Sequence, residues 1–287
     1  MLTLIFDGIA YGMVLFILAV GLAVTLGLMN FINLAHGAFA MLGGYTTVLL
    51  MSRAGFGFLA TLPIAFLVPA LVGALLERTL YRQMYAKPHL DQVLFSIGLV
   101  FMAVSAVDYL VGSQQQSVHV PAYLQGRFNF EAVGIGKYRL FIIVVCGLLA
   151  LALQLVLVRT RFGSRLRAAV DDSRVANGLG INVNAVFLAT FAVGSGLAGL
   201  GGALGAEVLG LDPTFPLKFM IYFLIVVSVG GTTTITGPLL AALLLGIADV
   251  FGKYYVPKLG AFIVYTLMIV ILLIRPQGLF ARAGAGR

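Results

Sequence analysis

The chain has 287 residues, of which 61% are hydrophobic and only 10% are charged. A water-soluble domain carries roughly 25% charged residues to cover its surface, so this composition excludes an ordinary soluble enzyme or binding module. The net charge of +8 does not imply nucleic acid, because the bases sit in short connections between apolar runs, the pattern that sets membrane orientation.

In chain order, the apolar runs cover residues 4–28, 33–52, 57–76, 93–112, 140–158, 184–206, 217–230, 237–251 and 259–274. In hydrocarbon every backbone N–H and C=O must be paired inside the protein, so these runs are helices or pieces of helices. At about 20 residues per crossing, the chain holds roughly eight or nine spans. The expected fold is an all-α, multi-pass membrane bundle with broken or re-entrant segments, one domain over residues 1–287.

The first residues carry no Lys or Arg and no small-residue cleavage pattern, so the N-terminus reads as a first span. The stretch Met29-Asn30-Phe31-Ile32-Asn33 interrupts the apolar pattern, which leaves 30–52 as a span or a re-entrant piece. Residues 113–138 form the longest outer connection and read as a polar loop. Cys146 stands alone in an apolar run, which excludes a disulfide within the chain. From Gly194 to Gly205 small residues recur at four-residue spacing, the mark of close helix packing rather than of a ligand site. The pieces 217–230 and 237–251 look too short to cross alone. Between them, Gly230-Gly231-Thr232-Thr233-Thr234-Ile235-Thr236-Gly237-Pro238 reads as a break tolerable only where protein or a watery cavity covers it.

Orientation follows from the bases. If 77–92, 159–183 and the tail share the cytoplasm, 11 of the 18 Lys and Arg lie inside, which favours that arrangement. The C-terminus is then cytoplasmic, and the N-terminus lies outside if 30–52 crosses.

Catalytic patterns are missing. His36, His89 and His119 are far apart, and no H-E-x-x-H or C-x-x-C occurs. The nearest approach to a phosphate loop, Gly246 to Gly252-Lys253, has the wrong spacing and continues with Tyr254 where Ser or Thr should hold magnesium. Asp7, Asp108, Glu207 and Asp249 fall near the ends of apolar runs, where interfacial water or neighbours can satisfy them. A proton- or sodium-coupled carrier would need such groups deep in the spans.

The connection 159–183 is the most informative segment outside the spans. As a helix from Ser164 to about Ala176 it puts Leu166, Ala169, Val170, Ser173 and Ala176 on one side and Arg165, Asp172 and Arg174 largely elsewhere. Ser164 can cap its start, and Gly178 suits a left-handed residue at its end. Such a helix lies on a membrane, fills a groove on a partner, or only carries arginines that enforce topology.

Five ordered segments resemble the LivH-type permeases of branched-chain amino acid importers of the ATP-binding-cassette class, and the likeness spans essentially the whole chain. They are Asn30–Gly37, Glu77–Arg82 followed by Ser96-Ile97-Gly98, Arg167-Ala168-Ala169 through Asn177–Val183, Leu197–Gly202, and Arg275-Pro276-Gln277-Gly278-Leu279-Phe280. The resemblance implies a multi-pass permease of the bacterial inner membrane that binds no cofactor itself. ATP would be bound by two cytoplasmic ATPase subunits, beside a second LivM-like permease, a periplasmic substrate-binding protein and membrane lipid; no nucleic acid is implied. It makes the groove-filling helix the favoured reading, with Ser164, Arg165, Arg167, Asp171, Asp172, Asn177 and Gly180 as ATPase-coupling residues. Asn30, Asn33, His36, Gly37, Gly230, Gly231 and Gly237 are the corresponding pathway or hinge residues, His36 either as a hydrogen-bonded hinge or as a pathway lining. The chain departs from the family where a G-G-x-G-S-x-x-G run is usual, having threonines in the middle of 230–237. Relatives assigned to urea, short amides and aromatic acids keep the substrate open.

Overall fold

The computed structural model describes residues 1–29, 31–118, 120–130, 133–231, 234–275 and 278–279. Asn30, His119, Thr232, Thr233 and the Pro276-Gln277 and Phe280 portion of the closing motif lie outside the described residues.

Two long helices form the centre, α1 (Leu2–Met29) and α9 (Val183–Leu209). They run antiparallel, because Gly21 meets Gly194, Leu18 meets Gly201 and Val14 meets Gly205. The small-residue stretch from Gly194 to Ala206 is buried throughout. It is packed on every side: by α1, by α2 (His36–Ala54) through Ala40 and Gly43, and by α3 (Phe58–Leu76) through Ala65 and Pro69. Lipid supplies no hydrophobic drive between helices, so this backbone-level approach, possible only without Cβ atoms, stands in for it.

Helix α3 carries Pro63 and Pro69 and passes through a π-helical turn (Glu77–Tyr81) into the short α4 (Arg82–Met84). Helix α5 (His89–Val111) follows, then an outer connection, then α6 (Lys137–Arg159). The outer connection is more than the expected loop. It contains a 3₁₀ turn (Ala122–Leu124) and a hairpin of β1 (Arg127–Phe130) and β2 (Val133–Gly136), antiparallel with Arg127 opposite Gly136.

The connection after α6 folds as two helices, α7 (Arg161–Asp171) and α8 (Ser173–Gly178). After α9 come α10 (Phe215–Gly230), α11 (Thr236–Tyr255), a 3₁₀ turn and α12 (Gly260–Ile274). At 20 residues α11 is longer than the apolar run 237–251 and long enough to cross, because its last turn tolerates Lys253, Tyr254 and Tyr255 at the interface. Among the described residues six helices are long and apolar enough to cross a membrane, and two shorter apolar helices accompany them.

The order repeats itself upside down. Helices α1, α2 and α3 form a long helix, a broken start and a third helix; α9, α10 and α11 do the same. Each long helix packs against the third helix of the other set, α1 on α11 and α9 on α3. In the first pair Gly8 and Gly12 meet the backbone of Ile247 and Ala242, 2.7 Å from where a Cβ would sit. Inverted repeats of this kind place a ligand path at the interface between the two sets.

One end of the bundle gathers Asp7 with Arg139, and Tyr255 with Met1. The opposite end gathers Tyr81 and Tyr85 with Phe31, and Arg167 with the end of α6. The bases of 77–92 and 159–183 therefore fall at one end, and those at 137–139 and 253–258 at the other.

Candidate pathway and coupling sites

The first set of residues surrounds the break between α1 and α2. The chain leaves α1 at Met29 and turns back into the protein, so that α2 starts beside Leu18, well inside the bundle. His36 marks that start. It is 2% exposed, its Nε2 lies 2.9 Å from the Leu18 carbonyl oxygen, and its ring meets Phe223 edge-on. Residues 31–52 thus form a re-entrant turn followed by a helix that returns to the end of the bundle where α1 began.

Polar side chains pin this turn from the neighbouring connection. Tyr81 Oη donates to Asn33 Oδ1 at 3.0 Å, and Ile32 N donates to Gln92 Oε1 at 3.2 Å. Gln92 also donates to the carbonyls of Met84 and Lys87. Tyr81 is held among Phe31, Phe95 and Phe191. Beside it the fully buried Glu77 accepts from Arg82 at 3.2 Å and from Tyr85 Oη at 3.1 Å. Glu77 and Tyr81, four residues apart and so on one face of the helix, are both buried within the π turn. Burial pushes the Tyr85 hydroxyl well up, and the neighbouring Glu77 charge adds to it, so Tyr85 stays a neutral donor. Asn33 Nδ2 and Arg82 Nε have no partner.

The second set lies where α10 begins and ends. Gly37 of α2 abuts Pro216 of α10, with a Cβ at Gly37 only 2.9 Å from the Pro216 Cα. The starts of the two discontinuous helices therefore meet inside the bundle. At the far end of α10, Gly230 sits against Gly237 and Pro238, and Gly231 takes a φ of 78° to turn the chain away. After α12 the chain folds back onto this break: Leu279 N donates to the Val229 carbonyl at 2.8 Å, and Gly278 (φ 91°) lies against Ser228 and Gly231.

The third set is the α7–α8 connection. Leu166, Ala169 and Ala176 are buried with Val183 and Val186 of α9, a satellite core separate from the main one. Val170 is half-buried and Ser173 is exposed, so the apolar face is narrower than the sequence indicates. The single helix expected from Ser164 is interrupted because Asp172 caps α8, accepting from Arg174 N (2.8 Å) and Val175 N (3.0 Å). Thr160, not Ser164, caps α7; Ser164 Oγ instead donates to the Arg161 carbonyl. The left-handed residue is Gly180 (φ 81°), two positions beyond Gly178. Arg167 turns back to donate to the Leu157 carbonyl at the end of α6, satisfying one of the orphan carbonyls there. Exposed on the outer side are Arg165, Asp171, Asp172, Arg174, Asn177 and Gly180, with apolar Val175 and Leu179 between them.

A cleft of about 220 Å³ connects the second and third sets, lined by Val24, Gln154, Leu166, Arg167, Thr234 and Ile235. The structure thus brings Asn33, His36 and Gly37 to one junction and Gly230, Gly231 and Gly237 to another, with the coupling residues at the margin of the second. Sequence reasoning missed Tyr81 and Gln92 as partners of the re-entrant turn, and Glu77 as a buried carboxylate. Of the two partners expected for Asp249, water or a neighbour, the structure shows the neighbour: it is 1% exposed, paired with Lys253 at 2.5 Å, and has one carboxylate oxygen without a partner. Asp249 lies a turn inside the end of α11, on the side that packs against its neighbours, so a Lys one turn later satisfies it in place of water.

A family model described as the permease component of branched-chain amino acid transport systems matches residues 4–272. Among curated proteins, the high-affinity branched-chain amino acid transport system permease protein BraD of Pseudomonas aeruginosa is 28% identical, over 96% of this chain and 94% of its own length. The corresponding protein LivH of Escherichia coli (strain K12) is also 28% identical with the same coverage. LivM of the same organism is 27% identical over 93% of this chain and 68% of its own length. No solved structure matches the chain. With an almost end-to-end match and a bundle of membrane-length helices around two broken ones, the chain belongs to the family of branched-chain amino acid transport permease components.

Proposed function

We propose that this chain is a permease subunit of an ATP-driven importer of the bacterial inner membrane. Its cargo is a branched-chain or similar small amino acid, and its 287 residues act as a single transmembrane unit without chemistry of its own. The observation that carries the reading is the family match, together with the α7–α8 pair, anchored by a small core on α9 and exposing a face of mixed charge and apolar residues. In this reading that face docks in a groove on a cytoplasmic ATPase, and the C-terminus is cytoplasmic. A LivM-like second permease, two ATPase subunits and a periplasmic binding protein complete the assembly.

In this reading nucleotide closure of the ATPase pair moves α7–α8. The movement has an effect only if the pair binds differently in the two states. Arg167 ties α7 to α6, and the cleft between α7 and the 230–237 break gives it somewhere to move. Arg165, Asp171, Asp172 and Asn177 face the partner, Ser164 and Arg167 position α7, and Gly180 forms the turn that returns the chain to α9. The re-entrant turn with Asn33, His36 and Gly37, and the break at Gly230, Gly231 and Gly237, are the places where the path opens and closes.

The reading is tested in reconstituted vesicles containing the full complex. Gly180→Trp should insert normally but abolish coupled ATP hydrolysis and uptake; unaltered transport would sink the coupling assignment. Alanine at Asn33 or His36 should reduce uptake while the complex stays assembled.

A further inference from the structure

Outside these sites, one cavity combines fixed charges of both signs. It measures about 460 Å³ and lies where the end of α5 (Val104, Asp108), Gln115 of the outer connection, and the turn into α10 (Asp212, Pro213, Lys218) meet. The turn is held in place by Gln116 N, which donates to the Leu211 carbonyl at 2.7 Å. Lys218 Nζ pairs with Asp212, whose carboxylate also accepts from Thr214 N at 2.9 Å and Thr214 Oγ1 at 2.5 Å. Asp108 is exposed and has no ion pair among the described residues.

The charge pattern of Asp108, Asp212 and Lys218 narrows what such a cavity could hold. A simple anion meets two carboxylates, and a simple cation meets an ammonium; a molecule carrying both charges a few bonds apart complements both. The volume falls within the range of small-molecule sites, about 300–1,000 Å³. Thr214 of its lining precedes by two residues the Pro216 that meets Gly37 at the start of α10.

We propose that this cavity is an outer receiving site for a zwitterionic amino acid, with Lys218 taking the carboxylate, Asp108 the ammonium group, and Val104 and Pro213 the side chain. The proposal rests on the importer reading for its cargo class. The Lys218–Asp212 pair is the resting state of the site, opened when the carboxylate arrives.

The test uses the nucleotide-free complex in lipid nanodiscs without the binding protein, with saturation-transfer NMR on leucine, isovalerate and isoamylamine as probes. Leucine should give transfer at least fivefold above either singly charged probe. Lys218→Met and, separately, Asp108→Asn should each remove most of it; Asp108 is exposed and unpaired, so its variant tests the site without risk to the fold. The exchange Asp212→Lys with Lys218→Asp restores an ion pair while moving the positive charge, and should not restore leucine transfer. Equal transfer from all three probes, or full recovery in the exchange variant, would overturn the site and leave the pair as a staple of the turn. Leucine binding without any ATP-dependent uptake in vesicles would instead overturn the importer reading and leave the site standing.

Discussion

The two helix breaks at the starts of α2 and α10 occupy equivalent places in the inverted sets, yet they are built from different materials. The turn at Phe31–Ala35 is held by buried, neutral hydrogen bonds from Tyr81 and Gln92, with the buried Glu77 next to them. The turn at Gly210–Thr214 is held by an ion pair and capping bonds that water can reach, with the Lys218 side chain 57% exposed. In the first, every lost partner strands a polar atom away from water. In the second, water takes the place of what is lost. The inner break is therefore the rigid one, and the outer break can rearrange at little cost.

Glu77→Ala gives the largest expected effect, because Tyr85 and the half-buried Arg82 lose a charged acceptor: about 2–3 kcal/mol of stability, read by denaturant unfolding in detergent. A loss below 1 kcal/mol would show that water enters the inner turn. Tyr81→Phe should cost less, about 1–2 kcal/mol, because only the Asn33 bond is lost while the aromatic packing stays. Uptake by that variant should nonetheless fall, since the turn leading to α2 loses its anchor. Asp212→Asn should cost under about 1 kcal/mol, as exposed pairs do, and raised salt should shrink even that difference.

The smallest effect is one of pH. Burial raises the Asp212 carboxyl, but the bonds from Lys218 and Thr214 together outweigh it and leave its pKa below the ordinary value of 3.8. A carboxyl lowered in the folded protein contributes stability that is fully present above its unfolded pKa and is lost as pH falls through the folded one. The difference between the native protein and Asp212→Asn should hold constant down to about pH 5 and narrow below 3.8. A difference that instead narrowed near neutral pH would show that another group sets the outer turn.

How much of this was legible beforehand differs between the two breaks. Apolar runs announce spans, and Met29–Asn33 and Gly230–Pro238 announce interruptions, because hydropathy responds to local composition. The depth to which the chain re-enters is not local: His36 lies next to Leu18, and Tyr81 reaches Asn33 from another connection. Nor does composition separate a carboxylate at an interface from one sealed by neighbours, which is why the burial of Glu77 and Asp249 was not legible. The split of the coupling segment did leave a signal, since Asp172 followed by Ser173 and Arg174 is a usable cap. It was hidden by an apolar periodicity that runs across the interruption. The glycine run of α9 was read correctly as packing because small residues at four-residue spacing leave few alternatives.

The short hook formed by Gly278 and Leu279 has a consequence for how the protein is made and handled. Its bond to Val229 closes the end of α10 with residues that follow all of the described helices. During synthesis that carbonyl waits for its partner until α12 has already left the ribosome. A purification tag placed after the hook should be harmless, whereas a chain shortened ahead of Gly278 should enter the membrane, assemble slowly and be prone to proteolysis at the α10–α11 break.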